Sequence, residues 1–487
     1  MDMLQDKKGF MWFGTWDGLS KFDGYKFRNY KVQPGDIYFM KSNRIERMYD
    51  DKYGRIWFST YDGEIHCFNP DTRKFWGVQL IRDLQKYPFS TDRIEIKPSG
   101  KVWLLSRNKG CVLVEDSLFT YRNFDIETGN IKAETVNSVL EDNEGNSWLM
   151  TENGICFVKQ SSGETTSYFY ENTSNPRNEK QAFFYGVDCG KTLLFGSQNG
   201  RIWQFTKKTG KFNLIQLPIS APIARLIKIN QQKIIAIASG KGFVVMDMSS
   251  GKFVPYNRKN LSSLRSENIM ETFLLKSRYL WFDTEEVGIY RFDIETGTLL
   301  YFRLETDDAA TIVFPPRTMV FEDVKGRLWV QPKGGGFSLF NPVNNTLEPF
   351  YNSRNSGEWR FSNILHSAFS DRQGNLWMCT RSHGLEKVVF DQNFFQVKQI
   401  NTDANSVIAN DVRCVYQDKN GRQWIATKDC RVTVYDAAGK RLGNLSPKGT
   451  IVPNSFLPAM VYSMLQDAEG NMWFGTKGYG LYKLSIF

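Results

Sequence analysis

Residues 3–15, MLQDKKGFMWFGT, return almost unchanged at 464–476 as MLQDAEGNMWFGT, and fainter copies lie between them. A phrase repeated at a fixed period constrains a fold more than any composition can, because each copy must take the same local structure. The conserved slot holds Trp12, Trp57, Trp103, Trp148, Trp281, Trp329, Trp377, Trp424 and Trp473, with Leu194 and Ala236 filling the two gaps. The eleven slots are spaced by 42 to 49 residues. Asp stands six residues before the slot in eight copies, and Gly three before it in eight. Thr or Ser stands three after it in ten.

Each column has a physical reading. Asp-x-x-Gly is a tight turn, in which Asp bonds its own backbone and Gly takes positive φ. A short apolar strand such as Val461–Leu465 precedes it, and the Trp strand follows. A second Gly, as in Asp17-Gly18, Asp62-Gly63 and Asn153-Gly154, marks a hairpin. A third strand, a further turn such as Glu295-Thr-Gly297, and a fourth strand complete the unit. Four antiparallel strands per period with no helical pattern predict an all-β fold. A four-stranded sheet cannot bury both faces alone. Repetition at this length predicts propeller blades stacked around an axis, with the Trp sealed between neighbours.

Eleven blades exceed the usual ring of about eight, so tandem β-propellers are expected: one seven-bladed ring plus part of a second. That places a first propeller at 1–310 and a partial second one, of about four blades, at 311–487. The break around Phe390–Phe395 is an alternative boundary near 391. Met1 begins inside a first strand and Phe487 follows a third one. A ring closes by pairing strands from both chain ends. The chain is therefore expected to be truncated at both ends, with about three repeats missing from the second ring.

The unit D-x-x-G-x-x-W-[FIL]-G-T-x-x-G-L, seen best at Asp6–Leu19 and Asp467–Leu481, resembles the two-component regulator propeller repeat. The resemblance runs along almost the whole chain. It implies the periplasmic sensor region of a hybrid two-component histidine kinase, with two seven-bladed propellers ahead of a membrane helix and a kinase. It also implies an oligosaccharide ligand. The chain has no kinase motif and no export signal at Met1–Asp6, so by itself it is either cytosolic or a fragment. The copies around 194–290 drift furthest from the turn consensus, which marks a specialised surface.

Function is expected where variable loops sit on a rigid scaffold. The loops after the Thr column share a face with the connections between blades. They offer Trp16, Asp17, Tyr61, Asp62, Arg107, Glu152, Asn153, Arg381, His383 and Tyr479 as ligand-binding candidates. Trp16 and the Arg381-Ser-His383 cluster depart most from the consensus. Flat aromatics beside polar groups suit the apolar faces and hydroxyls of sugars. A net charge of +10 would steer an acidic glycan.

No catalytic residue, cofactor or metal is expected. One carboxylate per turn supplies too few oxygens for a cation, three histidines rule against a multi-histidine centre, and no nucleophile elbow occurs. The scattered basic residues and the lack of a reader module argue against nucleic acid. Expected partners are the oligosaccharide and the kinase and membrane segments of the parent protein, with a homodimer of the full-length sensor as a further assembly. A protein-interaction propeller, or a propeller lyase or hydrolase, is the alternative.

Overall fold

The computed structural model describes residues 2–31, 42–76, 93–116, 120–169, 181–303, 318–350, 365–380, 384–390, 399–401 and 407–485. These residues form eleven antiparallel sheets, one per slot. Blade 1 consists of strands Asp2–Gln5, Met11–Thr15, Gly18–Phe22 and Phe27–Tyr30, paired in chain order. Blades 2 to 8 repeat this four-stranded meander at 45–76, 93–124, 136–168, 183–216, 223–256, 269–302 and 319–349. Blade 9 (365–388) and blade 11 (461–484) show three strands, and blade 10 (412–452) shows five. The helical content of the described residues is one 3-10 turn at Val407–Asn410.

The chain divides into two compact units, Met1–Phe390 and Asp391–Phe487. Packing continues across the position near 310, where Trp281 of blade 7 shares a core with Val320 and Val330 of blade 8. Within the first unit every blade packs on the next. Met3 and Phe13 of blade 1 then pack on Trp377 and Cys379 of blade 9. Gln5 Nε2 donates to Gln373 Oε1 at 3.0 Å, and the Arg372 guanidinium reaches the carbonyl of Asp6. Nine sheets thus seal one another's apolar faces within this unit. In the second unit, blades 10 and 11 share a core of Trp424, Val434, Met464 and Phe474.

The Asp and Trp columns are one device. In all seven blades that carry both, the indole N–H donates to the turn aspartate, at 2.8 to 2.9 Å. The second carboxylate oxygen caps the turn: Asp51 Oδ1 accepts from the Tyr53 and Arg55 amides. The ring is buried in six of the seven and half-buried at Trp473, and its one polar atom is satisfied, as a buried indole requires. Blade 3 has Lys97 at this position, and among the described residues the buried Trp103 Nε1 has no partner. A register shift recurs near the start of the innermost strand, as between Ile45 and Arg47 or Ile223 and Arg225. It turns Ile45 and Ile223 into the preceding blade, against Gly14 and Gly196. All seven cysteines are free thiols, five of them buried. Burial pushes Cys156 up to about 12.

Candidate functional site

The Thr column builds the loops of the expected binding face. Thr15 Oγ1 donates to the Gly18 carbonyl at 2.8 Å and accepts from the Asp17 amide at 3.0 Å. Thr151 and Thr476 close their hairpins in the same way. The hairpins of blades 1 and 4 are tied to the connection leading to the next blade. Gly18 N donates to Asn43 O at 2.8 Å, and Gly154 N to Gln181 O at 2.8 Å. Hairpins and connections therefore form one layer, as the sequence led one to expect.

Four candidates gather on blades 1 and 2. Trp16 and Tyr61 are each 63% exposed, and Arg44 from the intervening connection lies between them. Its guanidinium is 5.3 Å from the Trp16 ring and 4.1 Å from the Tyr61 ring. The Tyr61 amide donates to Arg44 O at 2.9 Å, which fixes the segment beside the second hairpin. Asp17 pairs with Lys31, and Asp62 Oδ1 accepts from Thr60 Oγ1 at 2.5 Å. The result is an exposed pair of aromatic rings around one guanidinium, with the Glu46 carboxylate 3.9 Å from that cation.

The candidates of blades 3 and 4 do something different. Glu152 Oε1 accepts from the Glu134 amide at 3.2 Å, and Asn153 Nδ2 donates to Lys132 O at 2.9 Å. The Arg107 carbonyl accepts from Thr135 Oγ1 at 2.5 Å, while its side chain is exposed. These three residues hold the 132–135 connection in place. Tyr479, 65% exposed, stands on the Thr476–Gly480 hairpin of the second unit. Arg381 and His383 lie outside the described residues. Among the described residues no group of three or more His, Cys, Asp or Glu is placed to hold a metal ion. Sequence reading missed Arg44. Its signal is positional: it sits just ahead of the innermost strand of blade 2, in the segment that runs beside a hairpin.

A succession of antiparallel sheets, eight of the eleven four-stranded and nine carrying a tryptophan in the repeated slot, makes this a β-propeller protein. The two component regulator propeller family model matches two segments of the chain, residues 40–62 and 455–478. The chain is similar in structure to the extracellular domain of a hybrid two component system from B. thetaiotaomicron, with 20% identity and a TM-score of 0.38. That match covers 99% of this chain and 63% of the other, so the chain spans less than two thirds of that domain. A one component system extracellular domain from the same organism shows 15% identity and a TM-score of 0.37, covering 100% of this chain and 71% of the other. The Dos1 propeller shows 10% identity and a TM-score of 0.44, covering 69% and 90%. A search of curated proteins found no match. Among the described residues no helix is long and apolar enough to cross a membrane.

Proposed function

We propose that the chain is the ligand-sensing, periplasmic part of a hybrid two-component sensor, and that it binds an oligosaccharide on the platform of Trp16, Arg44 and Tyr61. The observation that carries this reading is the pair of exposed rings around one guanidinium. Sugar rings present apolar C–H faces that lie on aromatic side chains, and hydroxyls that meet charged groups at the edge. The cation of Arg44 adds attraction for an acidic glycan. The regulator propeller repeats support the link to signalling.

In this reading the ligand acts by preferring one of two arrangements of the full-length sensor, and the preference passes to a kinase elsewhere in the parent protein. The test is a thermal-shift screen against defined neutral and acidic oligosaccharides. A ligand at 100 times its Kd adds about 2.7 kcal/mol to stability. The reading predicts a shift with at least one glycan, abolished in Trp16→Ala. No shift with any glycan would contradict it.

A further inference from the structure

The first turn of blade 7 departs from its neighbours. Residues 275–278 read Leu-Lys-Ser-Arg where blades 1, 2, 4 and 8 have Asp-x-x-Gly. Lys276 and Ser277 take φ of 51° and 49°, and the Arg278 amide donates to Leu275 O at 3.1 Å. Two successive residues at positive φ make a turn of the mirror-image type, within a loop of three residues between Leu275 and its partner Tyr279. It is shorter than the capped turn, and it brings no carboxylate to the tryptophan. Among the described residues the Trp281 indole N–H has no acceptor.

A cavity of about 410 Å³ opens between blades 7 and 8 at this place, with Tyr279, Trp281, Arg291 and Phe340 in its lining. Its size falls in the range of small-molecule sites. Arg291 stands opposite Trp281 in the strand pair. Its guanidinium lies 4.8 Å from the Tyr279 ring and 5.1 Å from the Phe340 ring. The other cations at the cavity are paired, Lys276 with Glu322 at 3.4 Å and Arg327 with Asp323 at 2.7 Å. Among the described residues Arg291 forms no ion pair, and its buried Nε has no hydrogen-bond partner. Burial lowers its pKa from the ordinary arginine value. A buried N–H without an acceptor is a cost that structures rarely carry without a reason.

We propose that this cavity binds a carboxylate-bearing ring, its carboxylate paired with Arg291 and its ring face against Tyr279 and Phe340. Guanidinium and carboxylate match as a two-pronged hydrogen-bonded pair. Aromatic walls take the face of a six-membered ring, whether the C–H face of a sugar acid's chair or the plane of an aromatic acid. Glu322 beside the cavity disfavours ligands of higher negative charge. The site is independent of the Trp16 platform.

The test is calorimetric titration of the full chain with glucuronate, benzoate and glucose. One of the two acids should bind at least tenfold more tightly than glucose, and the stronger acid tells a sugar source from an aromatic one. Arg291→Met should weaken acid binding at least tenfold with Tm unchanged or raised. Trp16→Ala should leave acid binding intact. Should Arg291→Met fail to fold, Glu322→Gln decides the matter, since removing that carboxylate should tighten acid binding two- to threefold. The proposal is overturned if neither acid binds, if glucose binds as well, if Arg291→Met binds like the parent, or if Glu322→Gln leaves affinity unchanged.

Discussion

Trp57 Nε1 donates to Asp51 Oδ2 at 2.8 Å, and Arg55 Nε donates to the same oxygen at 2.6 Å. The Asp51 side chain is fully buried, and that of Arg55 is 3% exposed. One carboxylate thus holds the turn, the indole and a buried cation. Removing one partner of a buried pair typically costs about 3–5 kcal/mol, because the other charge stays behind. Asp51→Ala should lose stability in that range in urea unfolding. Asp51→Ala/Arg55→Met should recover part of it.

Gly14 marks where the first two blades meet most closely. A Cβ built there would stand 2.6 Å from Ile45 Cγ2 and 2.8 Å from Met48 Sδ. Gly14→Val should therefore overpack this seam and cost about 1–3 kcal/mol by denaturant unfolding. Gly14→Val/Ile45→Ala should regain stability over Gly14→Val alone, a coupling that a double-mutant cycle measures.

Acid should reach blade 11 through Asp467. Hydrogen bonds from Asn471 and Trp473 hold its carboxyl down at about 2, below the usual 3.8. A group depressed in the folded state stabilises fully above its unfolded pKa, and the contribution fades as pH falls toward the folded one. The Tm difference between parent and Asp467→Asn should be constant above about pH 5 and shrink between about pH 4 and 2. A difference that grows on acidification would contradict this assignment.

Exposure separates binding from stability on the platform. Trp16 and Tyr61 are each 63% exposed, so Trp16→Ala and Tyr61→Ala should change unfolding free energy by about 0.5 kcal/mol or less. The buried Trp57→Ala should cost about 3–5 kcal/mol. The two exposed variants should instead lower glycan affinity about tenfold or more in titration, which corresponds to about 1.4 kcal/mol.

Much of this molecule was legible because one interaction wrote two columns. Asp51 and Trp57 recur together since each satisfies the other, so their spacing marked the blades, and Thr15 and its equivalents marked the hairpins. Even Leu194 and Ala236 kept the period when the indole was gone. Other features depend on neighbours that are distant in sequence. Trp16, Tyr61 and Arg44 form a site only because a connection folds back beside two hairpins. Glu152 and Asn153 read as loop-tip groups in the sequence, and their bonds to the 132–135 connection come from a segment that folds back beside them. The cavity at Arg291 is lined from two blades, by Trp281 and Arg291 in one and Phe340 in the next, a meeting that a period analysis does not show.

Hydrogen exchange with and without a stabilising oligosaccharide tests the central claim most directly. The account predicts slowed exchange at 15–18, 43–46 and 60–64, where the two hairpins flank Arg44, with no change at the Asp-x-x-Gly turns. Protection confined to those turns, or absent from blades 1 and 2, would contradict it.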